Sequence, residues 1–400
     1  MNNQNFLQEA QALTPEIISN RRHLHRNPEL SFHEYNTSVY IQNKLSEMGI
    51  AFTVMATTGV IALIGQGDRC VALRADIDAL PIEEETGLEY SSQNKGVMHA
   101  CGHDAHTSML LGAAKILKKY ENELGGVVKL IFQPGEEKVP GGASILIKEG
   151  VLTNPQPEVI FGQHVFPGNP VGESSFVSGS MMASADELYW TIRGKGCHAA
   201  QPHQGIDPIL VAAELITNLQ SIITKKRNPL SPGVLAITSI HAGSVTNIVP
   251  DTVELKGTLR SFDNEWRFLA LAEIKKRSEM IAAMHGATCD FNPLIGYPPL
   301  VNNQTAVDFA RKTAESVFGK STVTDFEPKM WGEDFAFYAQ EIPACFWVMG
   351  VRPDGVDEMP GLHNSHFTPD EGALASGTAL LVSVATEWLK NPNPFANNGN

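Results

Sequence analysis

Apolar residues along this chain repeat at two spacings, and the points where the spacing changes predict the elements. Phe6, Leu7, Ala10, Leu13, Ile17 and Ile18 recur on one side of a helix over 5–26, because positions three and four apart share a helical face. The segment RRHLHRNPELSFHEY that follows is rich in Arg and His and reads as a solvated helix end stopped by Pro28. A helix over 36–48 and short β-rich runs at 51–56 and 60–65 come next. CVALRA (70–75) predicts another strand, which ends in Asp76-Ile77-Asp78. From there strand and helix alternate. Met109, Leu110, Ala113, Ile116, Leu117 and Tyr120 mark a helix over 106–120; VVKLIF (127–132) reads as a buried strand; a helix over 142–149 and the run VIFGQHV (159–165) follow. Short runs that are apolar throughout are the mark of strands covered on both faces.

Near residue 184 the rhythm changes. A strand at 186–194, a helix at 207–223, strands at 234–242 and 253–262, a helix at 265–285 and a strand at 287–295 give the order βαββαβ, the ferredoxin-like pattern. After Pro298-Pro299 the α/β style returns, with a helix at 303–318, strands near 322–326 and 345–350, and a last helix from about 370. The expected architecture is therefore an α/β main domain with a mixed central sheet flanked by helices, in two parts (1–183 and 297–400). An α+β lid or dimerisation domain (184–296) is inserted between them. A length of 400 residues suits two cores better than one.

Composition narrows the class. A formal charge of −14 argues against nucleic-acid and anionic-membrane partners, which favour basic surfaces. The longest apolar candidate, 374–389, is broken by Ser376, Gly377, Thr378 and Glu387 and reads as a packed helix rather than a membrane span. The N-terminus lacks the basic start and apolar core of a signal peptide. Five scattered cysteines, at 70, 101, 197, 289 and 345, do not form a disulfide framework and point to a reducing, cytoplasmic setting.

The densest chemistry lies in VMHACGHDAHTSMLLG (97–112), where His99, Cys101, His103, Asp104 and His106 occupy eight positions. Thiolate, imidazole and carboxylate are transition-metal ligands. Cys101 and His103 are two apart, so in an extended segment they point to the same side. Asp104 and His106 are expected to cap and orient the next helix, with His99 a neighbour. The alternative is a buried Cys beside a capping His–Asp pair. Glu136-Glu137 places like charges together after a buried strand, which is unfavourable unless a cation is near. One carboxylate would then bind metal and the other handle a proton; a solvated loop is the alternative. His164 and His363, each alone, would read as structural histidines. Together Cys101, His103, Glu137, His164 and His363 are donors enough for a two-metal site with open positions. Asp76 and Asp78 are placed to orient a ligand imidazole from behind or to cap a turn.

ALRADIDALP, MHACGHDAHT, IFQPGEE, GQHV, GKGCHAAQPH, GSVTNIVPD and GLHNSHF, in that order, resemble the N-acyl-amino-acid amidohydrolases: aminoacylase-like and hippurate hydrolases and the hydrolases of auxin–amino-acid conjugates. These belong to the wider superfamily of two-metal carboxypeptidases and aminoacylases, and the resemblance runs from about residue 20 to 385. It implies Cys101, His103, Glu137, His164 and His363 as metal ligands, with Cys101 bridging, and Glu136 as general base. It implies His198 as a histidine that the small domain presents to the substrate carbonyl, in some relatives across a dimer interface. Asn247 and Arg260 fall in stretches implied to bind substrate. The superfamily has a His-x-Asp pair where this chain has Asp76 and Asp78, so that ligand role is expected to have passed to Cys101 and His103. The implied activity is cleavage of N-acyl amino acids to amino acid and carboxylic acid, with two divalent ions (Zn, Mn, Ni or Co). The implied assembly is a homodimer or higher homo-oligomer through the inserted domain. A di- or carboxypeptidase on the same scaffold and a non-catalytic, metal-stabilised binding protein are the alternatives.

Overall fold

The computed structural model describes residues 3–395, and the chain divides into two compact units. The first comprises Met1–Met181, Val301–Glu327 and Asp334–Asn400. It is built on an eight-stranded mixed sheet in the order Phe52–Met55, Gly59–Gly65, Val127–Gln133, Cys70–Asp76, Ile160–Pro170, Ala344–Arg352, Ser174–Phe176, Val323–Asp325. The four central strands run parallel, and Gly59–Gly65 on one side and Ser174–Phe176 on the other join them antiparallel. Val127–Gln133 and Cys70–Asp76 are buried at every position, which explains why neither alternates polar and apolar.

A lysine in the middle of such a strand needs a reason. Lys129 donates three hydrogen bonds from Nζ, to the carbonyls of Val151 (2.7 Å), Thr153 (2.8 Å) and Pro155 (2.7 Å). All three ammonium protons are thus satisfied without a carboxylate, while burial lowers its pKa.

Helices Asn3–Arg26, His103–Lys119 and Ala373–Lys390 pack against one another, and the last two also against strand Cys70–Asp76. Their apolar faces join the sheet in one core around Met109, Leu110, Leu130, Phe161, Trp347, Leu380 and Trp388. The helix expected at the C-terminal end is buried along most of its length, as a packed rather than a spanning helix requires. Among the described residues no helix is long and apolar enough to cross a membrane. A smaller pair, Gly142–Lys148 and Ala336–Glu341, packs on strands Val127–Gln133 and Ala344–Arg352.

The second unit comprises Met182–Leu300 and Pro328–Glu333. Its antiparallel sheet has the order Gly233–Ala242, Thr252–Ser261, Ala185–Arg193, Thr288–Tyr297, with helices Pro208–Ser221 and Asn264–Met284. Strand Ala185–Arg193 alternates: Leu188, Trp190 and Ile192 enter the core while Glu187, Tyr189 and Arg193 face out. Asp207 and Asp263 cap the two helices through Ile209 N and Trp266 N. The sequence reading keeps 328–333 with the main domain. Here this short return segment packs with the second unit, through the bridge between Met182 and Lys329.

Candidate functional site

In open α/β sheets, sites form beyond the carboxyl ends of the parallel strands. Strand Cys70–Asp76 delivers Asp76 and Asp78 there, Val127–Gln133 delivers Glu136 and Glu137, and Ile160–Pro170 carries His164. His363 arrives on the loop after Ala344–Arg352; its backbone N–H donates to Ala100 O (2.8 Å), and its φ of 61° lies in the left-handed region. Positive φ at a non-glycine residue is uncommon and clusters at functional sites.

The stretch 99–106 departs from expectation in two ways. Cys101 and His103 do not share an extended segment, because His103 is the first residue of helix His103–Lys119 and Gly102 turns the chain between them at φ 90°. A Cβ on Gly102 would lie 2.4 Å from Val165 Cγ2, so no other residue fits the close approach that brings the two donors together. Asp104 caps nothing. It is fully buried and accepts from Arg21 Nε (3.0 Å) and His25 Nδ1 (2.9 Å). Arg21 and His25 are therefore interior residues rather than a solvated helix end. Burial opposes the Asp104 charge, but Arg21 and His25 outweigh it and hold the carboxyl well below the ordinary range.

His106 is excluded as a metal ligand by its hydrogen bonds. Its Nε2 accepts from Val165 N (2.8 Å), so Nδ1 bears the proton and donates to Asp76 Oδ1 (2.6 Å). Neither nitrogen is spare, although Asp76, His103 and His106 lie close enough to bind an ion.

His103 and His164 have the opposite arrangement. His103 Nδ1 lies 3.0 Å from Asp78 O and 3.2 Å from Asp78 Oδ1; His164 Nδ1 lies 2.7 Å from Val165 O. Carbonyls only accept, so both rings donate from Nδ1 and turn a bare Nε2 toward the cluster when neutral. Cys101 Sγ is 3.4 Å from His164 Nε2. Asp78 is itself held by Ser31 Oγ (2.6 Å) and Glu137 N (3.0 Å), so it acts as the orienter of His103.

Two sets of three donors result, Cys101–His103–His164 and Cys101–Glu137–His363, with ligand atoms within 4.8 Å in each set and Cys101 common to both. Glu136 falls in a further set with His103 and Glu137. His103 Nε2 and Glu137 Oε1 are buried without hydrogen bonds. His363 Nε2 stands 3.2 Å from Glu137 Oε1, yet without hydrogen-bond geometry. Orphaned buried donors and acceptors cost about 1–3 kcal/mol each, a deficit that a dication held by these atoms would remove. Charge tells the same story. Burial opposes protonation of His103, but Asp76, Asp78 and Glu137 overcome it and raise its pKa to about 10. Burial and the carboxylates of Glu137, Glu136 and Asp76 push the Cys101 thiol well above its usual range. A site so short of positive charge, with soft and imidazole donors, fits divalent transition-type ions.

Sequence reasoning missed the frame behind this cluster. Arg74, fully buried, donates from Nη1 to Asp76 Oδ2 (2.7 Å), from Nη2 to Asp334 Oδ1 (2.9 Å) and from Nε to Gln133 Oε1 (2.9 Å). Asp334 also accepts from Ala143 N (2.9 Å), and its own N–H lies 3.4 Å from Glu136 Oε1. An Arg inside an apolar strand was the signal available.

The other predicted residues lie in the second unit. His198 pairs with Ile248 in a short ladder, and Ala199 N donates to Asn247 O (3.0 Å), so His198 and Asn247 are backbone neighbours. Ala200 N donates to His198 Nδ1 (3.1 Å), which places the neutral ring's proton on Nε2. Arg260 is half-buried and donates to Thr258 Oγ1 (3.1 Å); burial lowers its pKa despite Asp186 and Glu187.

Buried thiol, imidazole and carboxylate donors at the carboxyl ends of a mixed sheet, beside a further carboxylate, are the donor set of a metal-dependent hydrolase. The chain belongs to the peptidase family M20/M25/M40, whose model matches residues 72–387. It is 41% identical over 380 residues to N-acetyl-L-cysteine deacetylase of Bacillus subtilis, covering 94% of this chain and 89% of the relative. Thermostable carboxypeptidase 1 of Saccharolobus solfataricus is 38% identical over 378 residues (93% and 95%). Among solved structures, the Bacillus subtilis YXEP protein, described as a dinuclear metal-binding peptidase of the M20 family, superposes with a TM-score of 0.81 at 36% identity, over 96% of this chain and all of that one.

Proposed function

We propose that the protein hydrolyses the amide bond of N-acyl amino acids, with Glu136 as general base beside two divalent ions. Cys101, His103 and His164 would hold one ion; Cys101, Glu137 and His363 the other. The observation that carries this reading is the sharing of Cys101 between two complete donor sets, with Glu136 buried at their edge. When bound, the ions acidify water and polarise the amide oxygen. Zn, Mn, Ni and Co all suit a thiolate–imidazole–carboxylate set.

Glu136 takes the proton of the attacking water and returns it to the departing amine. The 3.4 Å approach of Asp334 N to Glu136 Oε1 supports a fixed carboxylate direction during both transfers. We assign His198 to donate from Nε2–H to the carbonyl oxygen as charge develops there, and Asn247 and Arg260 to hold the amino-acid portion. The His198→Ala variant is expected to lose about 10²–10³ in kcat, with metal content by elemental analysis unchanged. Metal loss would instead make it a ligand.

The similarity to a deacetylase and to a carboxypeptidase keeps a peptidase reading beside the first. A panel of N-acetyl, N-benzoyl and long-chain acyl amino acids, run against dipeptides with each metal, decides between them. Higher kcat/KM on dipeptides than on every acyl amino acid would reject the proposed substrate class. Inactivity of metal-loaded protein on the whole panel would leave only a binding role.

We further propose a homo-oligomer formed through the second unit. Helix Asn264–Met284 exposes Phe268, Leu269, Met280 and Met284, and strand Gly233–Ala242 lies at the edge of its sheet. Apolar stripes and open edges are association surfaces. Sedimentation should give at least twice the chain mass, and Leu269→Glu should shift it toward one; a monomeric wild type ends the idea. All five cysteines are unpaired, which supports a reducing, cytoplasmic setting.

A further inference from the structure

The SFHE turn at 31–34 is outside every donor set, yet its contacts converge on the loop that carries Glu136 and Glu137. Glu34 is wholly buried. Its Oε1 accepts from Gly135 N (2.8 Å) and Phe32 N (2.8 Å), and its Oε2 from Thr58 Oγ1 (2.7 Å). Ser31 Oγ, from the same turn, donates to Asp78 Oδ2, the oxygen that also accepts from Glu137 N. The loop's alternate amides, 135 and 137, are therefore each held by a buried carboxylate. Glu136, between them, is directed by both.

The backbone shows how closely the parts are fitted. Phe32 adopts φ 65°, a costly conformation for a bulky residue. Its ring lies under Gly135, where a Cβ would come 2.3 Å from Phe32 Cε1, and Gly135 itself has φ 60°. Strain of this kind persists where the surroundings over-determine it. Here the surroundings are the Glu34 carboxylate and the catalytic loop.

We propose that Glu34 is a positioning residue for the hydrolysis: its acceptor oxygen fixes the Gly135 peptide and so aims the Glu136 carboxylate. The inference rests on Glu136 being the general base. The function needed at residue 34 is hydrogen-bond acceptance rather than charge. Burial, then Asp78, raises the Glu34 pKa to about 7, so a neutral side chain of the same shape suits the site. Gln offers one carbonyl oxygen to Gly135 N and Phe32 N, and its amide donates to Thr58 Oγ1. Asp keeps the charge but withdraws the oxygen by one methylene.

The test compares Glu34→Gln, Glu34→Asp and Glu34→Ala with wild type on the best acyl amino acid, reading kcat, KM, metal content and thermal midpoint. Misplacement by about 1 Å can cost 10²-fold in rate. Glu34→Ala and Glu34→Asp are therefore expected to lose about 10–10²-fold in kcat, with KM and metal content close to wild type, while Glu34→Gln restores most of kcat. If Glu34→Ala does not fold, Glu34→Asp carries the test against Glu34→Gln. Wild-type kcat in the Asp variant, or equal loss in Gln and Asp, overturns the proposal. A rise in KM or loss of metal that accounts for the deficit also overturns it. Glu136→Gln is measured in parallel. If that variant is active, the base assignment falls; if it is inactive while Glu34→Asp is normal, only the Glu34 inference falls.

Discussion

Glu136→Gln is expected to reduce kcat by about 10²–10⁴, the usual worth of a positioned general base, while metal content and KM stay near wild type. The amide is isosteric with the carboxylate and can still accept from Asp334 N, so the frame around it should survive. It cannot take a proton from water. Single-turnover assays on metal-loaded protein give the cleanest comparison, because product release then drops out. Loss of metal together with activity would move Glu136 into the ligand set, where its proximity to His103 and Glu137 already makes it a geometric candidate. Substantial turnover by the metal-loaded variant would reject it as the base.

The second large effect is on stability. Arg21→Met should cost about 3–5 kcal/mol, the range for breaking a buried ion pair by removing one partner. Arg21 and Asp104 are both fully buried at 3.0 Å, and Arg21 Nη1 also reaches Glu371 Oε1 at 2.9 Å. The variant strands the Asp104 carboxylate with His25 alone. Urea unfolding at neutral pH measures the cost, and an unchanged midpoint would mean the pair is idle. Asp104 follows His103 directly, so metal affinity should fall in parallel.

The pH dependence of this network has a definite sign. Asp104 is depressed in the folded state, so its contribution is present above the unfolded value near 4 and is lost only as pH falls through the much lower folded value. His25 is raised: burial opposes the shift, but Asp104 and Glu84 prevail. Its contribution is complete below about pH 6.5 and fades as pH rises through the folded value. Between mild acid and weak alkali the wild type should therefore lose stability from His25 while Asp104 stays constant. A His25→Gln variant removes that slope if the assignment is right.

Much of this was legible along the chain because periodicity reports local burial. The helix at 106–120 and the buried run at 127–132 are visible from their own residues. The donor types of Cys101, His103, Glu137, His164 and His363 are visible too, since few other side chains bind metal. Partnership across sequence distance was not legible. Arg21 and Asp104 are 83 positions apart, and only the packed helices reveal that a cluster of charges near the N-terminus is interior. The role expected of Asp104 failed for the same reason: a local cap is the best local explanation, and a remote arginine was the true one. The return of 328–333 to the second unit has no compositional mark. The tautomers of His103, His106 and His164 follow from three carbonyl and amide contacts that no spacing rule supplies.

The order of strands in the large sheet has a consequence for biosynthesis. Ala344–Arg352 lies between Ile160–Pro170 and Ser174–Phe176 and pairs with both. Those earlier strands leave the ribosome long before it, and the whole 182–300 stretch of the second unit is translated in the interval. A growing chain can complete its ferredoxin-like unit from local partners while the larger sheet still lacks a middle strand. His363 follows that strand in the sequence, so the donor cluster closes late, after the scaffold on both sides of it has waited for a single segment. Stalling translation just before residue 344 should yield a chain whose ferredoxin-like sheet, residues 185–297, is folded while Cys101 stays open to solvent.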